Sequence, residues 1–318
     1  MATVLPASDT NTTRPVVAIV LGFAVLYIVW GTTYLGITYS LQTLPPFLSG
    51  AIRFLAAGSL IAVWVLLRSP GTFREVPWLT ACAAGVLLSG IGNGLVIYAQ
   101  QAVSSGVAAL VVSAIPGFVL LFDALFFART RPAFIRIAGV LIAVSGVALL
   151  TSDVGKLSGN AEPLHVMALL AAAIGWSFGT LVQQRAVTAQ TMIAFTAAQM
   201  LAGGCFQLLA SVLHGEWHSF DPAAVSTTSW FAVSYLVIFG SILAFNCYLW
   251  LLTQVSATAV TTYALVNPVI ALLLGAVMLD ERITTTAGIA AVLVLGGVAL
   301  VLFHGAIAAT RNRSKSGT

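Results

Sequence analysis

Ten apolar runs follow one another along this chain, each closed by a charge, a proline, a glycine or a polar cluster. They cover residues 16–40, 46–67, 77–99, 105–127, 134–151, 163–186, 192–213, 229–251, 256–279 and 283–303. A helix needs ~20 predominantly apolar residues to cross a bilayer, which fits these lengths. None of the runs alternates with a period of two, as the ~10-residue strands of a membrane barrel would. Helix is therefore predicted throughout, because a helix satisfies its own backbone polar groups in lipid. Most linkers are short, so consecutive helices are expected to pack antiparallel.

The pattern is written twice. Pro268 lies 152 positions after Pro116, and Val255-Ser256 lies the same distance after Val103-Ser104. Trp176 follows Trp30 by 146, and at that shift AIRFLAAG at 51–58 falls on AAQMLAGG at 197–204. SGVALL at 145–150 resembles GGVALV at 296–301. The unit holds five helices, an odd number, so the second copy must enter the membrane from the opposite face. The predicted fold is an all-α integral membrane protein of ten transmembrane helices, arranged as two inverted five-helix repeats. Residues 1–15 form an N-terminal tail, 16–151 the first repeat, 163–303 the second, and 304–318 a basic tail. Inverted-topology repeats are a signature of secondary transporters, whose halves meet around a substrate site near the midplane.

Composition agrees. Hydrophobic residues make up 59% of the chain and charged residues 7%, against ~25% charged in soluble domains; mean hydropathy is +1.03. A pI of about 9.2 is thus an orientation signal and does not point to nucleic acid. With both termini in the cytoplasm, that side receives Arg14, Arg68, Arg74, Arg129, Arg131, Arg136, Arg185, Arg311, Arg313 and Lys315, and the other only Lys156 and Arg282. Ten against two follows the positive-inside rule. The polar first fifteen residues precede an apolar run longer than a signal-peptide core, so the first span is expected to be retained. Cys82, Cys205 and Cys247 sit inside apolar runs and imply no disulfide framework.

Few polar residues lie at depth. Arg53 and Asp123 are the ionisable ones, and a charge at helix centre costs on the order of 3 kcal/mol unless a partner, a cavity or snorkelling relieves it. Their depths differ by roughly 15 Å, so they are not expected to pair. Asp123 can turn toward Arg129. Arg53 is within reach of Glu281 if the two helices are adjacent; a structural clamp and a substrate-anion or gating role both stand for it. Trp30 and Trp176 fall near mid-span, away from the interfacial belts where tryptophan usually sits. Core filler is the plain reading; their repetition beside Thr33, Tyr34 and Thr180 favours a cavity. Asn93, Asn246, Tyr263 and Asn267 add polar groups that either bind a neighbouring helix or face water. Pro116 and Pro268 interrupt corresponding helices, a pointer to a transport site, with a packing kink as the alternative. His214 and His218 lack a third ligand, so no metal site is predicted, and no phosphate-binding loop is present.

WGTTYLGI from Trp30, PPFLSGAIRF from Pro45, the Gly-Val-Ala-Ala-Leu stretch leading to Pro116 and NPVIALLLGAVMLDERIT resemble the EamA branch of the drug/metabolite transporter superfamily. The likeness runs in order through both halves. The fourth run closes on FARTR where the family often has Gly-Glu. The resemblance implies a bacterial inner-membrane exporter of amino acids and other small metabolites, a secondary transporter working by alternating access without a cofactor. A facilitator or importer is the alternative within transport, and an intramembrane enzyme or membrane scaffold the alternative outside it. Proton or ion coupling is left open, because Asp123 is the one deeply placed carboxylate. Oligomeric state and substrate identity are not legible.

Overall fold

The computed structural model describes residues 13–103, 105–127, 133–154, 163–218, 220–278, 285–286, 288–289, 292–293 and 295–301. All regular structure among them is helical. The helices are α1 (Thr13–Ser40), α2 (Pro46–Arg68), α3 (Trp78–Ala99), α4 (Ser105–Val112), α5 (Ile115–Phe127) and α6 (Phe134–Val154). They continue as α7 (Pro163–Gln184), α8 (Met192–Leu213), α9 (Thr227–Gln254), α10 (Ala257–Val260) and α11 (Tyr263–Met278). Among the described residues, six helices are long and apolar enough to cross a bilayer: α1, α2, α3, α7, α8 and α9. Shorter apolar helices lie at Ile115–Phe127, Phe134–Gly146 and Ala257–Ile270.

Burial runs opposite to that of a soluble protein. Leu67, Leu79 and Phe134 are at least 80% exposed, whereas Gln183, Gln199, Gln207, Thr196 and Ser211 are fully buried. Outward apolar surface suits hydrocarbon, and of these buried groups Gln207 bonds across to the Ser89 carbonyl of α3. α2 packs along α8, α1 along α9 and α11, and α7 along α3. Gly50 lies against Gln207, Leu55 against Gly204 and Gly58 against Leu201. That register makes α2 and α8, which carry the two matching octapeptides, antiparallel.

Two features of the helices escape the apolar pattern. The stretches Gly85–Gly92 in α3 and Leu236–Leu243 in α9 are π-helical. They have equal length and start 151 positions apart, so they recur in both halves. A wider turn pushes carbonyls off axis, and polar side chains take them up: Trp30 Nε1 donates to the Gly240 carbonyl at 2.9 Å, and Gln207 Nε2 to that of Ser89 at 2.5 Å.

The second feature is where the broken helices break. Pro116 sits just past the turn at Ser113–Ala114, as a proline in the first turn of α5 should. In the second half the interruption lies ahead of the expected Asn267-Pro268, at Thr261–Thr262, and Pro268 is carried inside α11. Threonines mark the interruption. Thr261 Oγ1 donates to the Ala257 and Thr258 carbonyls and Thr262 Oγ1 to that of Ala259, the side-chain-to-backbone bonding by which hydroxyls compete with a continuing helix.

Candidate functional site

The site begins with α1, which presents Trp30, Thr33, Tyr34 and Ile37 along one inward face. Arg53 of α2, Asn93 and Val96 of α3, Val112 of α4 and Ile115 of α5 complete the first half's contribution. Trp176 of α7, Phe245 of α9, and Tyr263 and Asn267 of α11 come from the second half. Together they line a cavity of about 50 Å³, room for a few water molecules.

Its apolar wall is one aromatic cluster. Trp30 meets Trp176 edge to face, with ring centroids 5.6 Å apart and planes at 85°. Around Trp30 also stand Tyr263 at 4.4 Å, Tyr248 at 5.1 Å and Phe245 at 5.3 Å. The two tryptophans, expected to face each other across a cavity, touch directly and border the same space. Trp30 is anchored by its bond to Gly240, and the Trp176 indole N–H makes no comparably close bond.

The polar wall centres on Arg53, 2% exposed. Its Nε donates to Ser241 Oγ at 2.8 Å and its Nη1 to Asn93 Oδ1 at 3.5 Å. The Asn93 amide donates in turn to the Leu88 carbonyl at the π-helical stretch. Gly240 lets this happen: a Cβ there would meet Arg53 Nη2 and Thr33 Cγ2, both at 3.0 Å. Among the described residues no carboxylate lies within ion-pair distance of Arg53. Three further buried polar atoms border the cavity without a close hydrogen bond: Trp176 Nε1, the Tyr263 hydroxyl and Asn267 Oδ1; Trp176 lies near the Tyr263 and Tyr248 hydroxyls and Asn267 near that of Tyr34.

The remaining candidates fall elsewhere. Thr180 is buried behind the cluster, donating to the Trp176 carbonyl and pairing with the Tyr248 hydroxyl. Pro116 and Pro268 are buried, and their neighbours Ile115 and Asn267 reach the cavity. Asn246 does not reach it. It lies one position beyond Phe245, about 100° around a helix, and its amide bonds back to the Ile242 carbonyl at 2.7 Å beside shallow outer grooves. Asp123 pairs with Arg185 at 2.9 Å, both about 40% exposed, at the far end of the bundle from Glu216. Its expected partner Arg129 lies outside the described residues, as does Glu281. Phe245, Tyr248 and Ser241 are site residues that apolar-run reading passes over, since aromatic and small residues there look like ordinary span filler.

At the opposite end, Glu216 caps α2 from a distant loop. Its carboxylate accepts the backbone N–H groups of Phe47 and Leu48 at 3.0 and 2.8 Å. Beside it Phe47, Tyr98 and His165 stack in turn, and His214 meets Phe47 and Tyr98 edge-on.

A model of the family described as "EamA-like transporter family" matches the chain twice, over residues 11–152 and 164–303. The chain belongs to the EamA-like transporter family. An Escherichia coli K12 protein named "Uncharacterized inner membrane transporter YedA" is 39% identical over 277 residues, 87% of this chain and 88% of that one. The E. coli "Probable amino-acid metabolite efflux pump" is 24% identical over 87% of this chain and 92% of its own length. An "Uncharacterized transporter" of Archaeoglobus fulgidus is 26% identical over 89% and 98%. One solved crystal structure superposes with a TM-score of 0.72 at 22% identity, over 91% of this chain and 98% of that one. The two chains therefore share a fold.

Proposed function

We propose that the protein is a secondary transporter of the bacterial inner membrane that exports small organic metabolites by alternating access. In this reading ten spans form two inverted repeats, 16–151 and 163–303, with both termini cytoplasmic, and the cavity beside Trp30, Trp176, Arg53 and Asn267 is the substrate site. The family model matching each half once supports the division. The antiparallel register of α2 and α8 and the recurrence of the π-helical stretches support inversion. Export is taken from the naming of the efflux-pump relative.

One observation carries the reading: both halves line a single small cavity whose polar atoms are not all satisfied within the protein. A buried polar group left unpaired costs ~1–3 kcal/mol, which a bound solute recovers. Room for a few waters does not admit a metabolite, so the halves must part to load and unload it.

The test is solute flux in sealed vesicles containing the purified protein, with and without a pH gradient. Wild-type vesicles should move at least one small metabolite faster than protein-free ones. Trp176→Ala should slow that flux by at least ~10-fold, equivalent to ~1.4 kcal/mol of lost stabilisation. Equal flux through wild-type and Trp176→Ala vesicles would remove the cavity from the transport path.

A further inference from the structure

We infer that the cavity selects solutes with a net charge of −1, a carboxylate or similar anionic group seated against Arg53; this rests on the cavity being the substrate site. The argument starts from repeat symmetry. The position matching Arg53 in the second half is Gln199, also fully buried but neutral. The bundle therefore places one permanent positive charge at this level where symmetry would have given two. Arginine stays protonated in essentially all protein settings, so it must be stabilised as a cation.

What surrounds Arg53 falls short of that. Ser241 and Asn93 supply two neutral acceptors, one of them at 3.5 Å, and the described residues lining the cavity include no carboxylate. A buried cation with only neutral partners is costly, and a counter-charge lowers that cost. A bound monoanion brings cavity plus solute to zero charge. A zwitterion leaves the total at +1, a neutral molecule does the same, and a cation raises it. Charge balance thus sets the monoanion above the other three classes without reference to shape. Guanidinium geometry suits a carboxylate, which it meets with paired N–H groups.

The rest of the pocket describes the remainder of the solute. None of three polar atoms there makes a close hydrogen bond: Trp176 Nε1 can donate to a solute, Asn267 Oδ1 can accept from it, and the Tyr263 hydroxyl can do either; these side chains are 8%, 1% and 3% exposed. A hydroxyl next to the carboxylate answers both groups with one atom. The aromatic cluster of Trp30, Trp176 and Phe245 asks for an apolar or aromatic body. The class is a small hydroxy-monocarboxylate on an apolar frame.

The test measures binding to the purified full-length protein in detergent, by ligand-induced thermal stabilisation and calorimetry. The probes share one body and differ in charge: phenyllactate (−1), phenylalanine (zwitterion), phenyllactamide (neutral) and phenethylamine (+1). A second series uses an isobutyl body, with 2-hydroxyisocaproate and leucine. The anion of at least one series should bind about 10- to 100-fold tighter than its zwitterionic or neutral analogue, the worth of a charge-assisted hydrogen bond. Arg53→Gln should abolish that preference and Arg53→Lys keep part of it. Should Arg53→Gln fail to fold, the wild-type charge series decides alone. Equal or tighter binding of the zwitterion, neutral or cationic probes, no binding in either series, or an anion preference surviving in Arg53→Gln would overturn the inference. Anion-selective binding without flux in vesicles would instead refute the transport reading and leave the binding selectivity standing.

Discussion

Trp30 and Trp176 occupy matching repeat positions, but their surroundings are unequal, and the difference yields a prediction. Trp30 is packed by four aromatic rings and its N–H is used. Trp176 shares part of that packing, and its N–H makes no close hydrogen bond. Truncating a buried tryptophan costs ~3–5 kcal/mol, so Trp30→Ala should destabilise the protein as well as impair transport. Tryptophan to phenylalanine separates the roles. Trp30→Phe should lose ~1 kcal/mol with the hydrogen bond to Gly240, and Trp176→Phe markedly less, with transport altered in both; thermal unfolding and flux measured on the same preparations check this. Equal destabilisation would mean that the Gly240 bond adds nothing. From sequence, the depth of these residues was readable because helical rise converts position into depth. Which side of the helix they face was not: Asn246 has the right depth and the wrong azimuth, and Arg53 meets Ser241 within the π-helical stretch of α9.

At the scale of elements, apolar run length made the long helices readable, since lipid punishes an unsatisfied backbone. At the π-helical stretches distant side chains take the displaced carbonyls, and at Thr261–Thr262 hydroxyls bond back to their own turn; apolar run length records neither. The N-terminus of α2 is a similar case. Pro45 and Pro46 offer no side-chain cap, and Glu216, some 170 positions away, supplies one. A carboxylate there also meets the positive end of the helix. Glu216→Ala should orphan two N–H groups and cost ~1–2 kcal/mol at neutral pH. Burial pushes the Glu216 carboxyl above its ordinary 4.5, the two N–H donors and nearby His214 offsetting this in part. An acid raised in the folded state holds its proton more tightly there than in the unfolded chain. Its stability contribution is therefore fullest below the unfolded value and lost as pH rises through the folded one. Relative to Glu216→Gln, the wild type should gain stability as pH falls from neutral toward 4.5. A wild type that loses ground over that range would show the backbone donors outweighing desolvation.

For the whole molecule, the two ends of the bundle carry the orientation argument. One end gathers Thr43 with Ser226, Phe47 with Glu216, and Tyr98 with His165. The other gathers Asp123 with Arg185, and Gln184 with the carbonyls of Leu252 and Val255. The first set comes from linkers that alternate with those of the second along the chain, as successive membrane crossings require. Arg185 lies at the second end, which the proposed orientation puts in the cytoplasm. Cysteine labelling tests the assignment directly once Cys82, Cys205 and Cys247 are replaced. Ser226 is a poor reporter, because its hydroxyl caps α9 by accepting the Ser229 N–H. Ala224 is exposed at the same end, and Gln254 is exposed at the other. In intact cells an impermeant thiol reagent should modify Ala224→Cys and Ser158→Cys, and spare Gln254→Cys and Ser314→Cys until the membrane is opened. The full pattern reversed would turn the molecule over. Labelling of both Ala224→Cys and Gln254→Cys from outside would place both ends of α9 on one side, and the crossing scheme built on alternating linkers would fail with it.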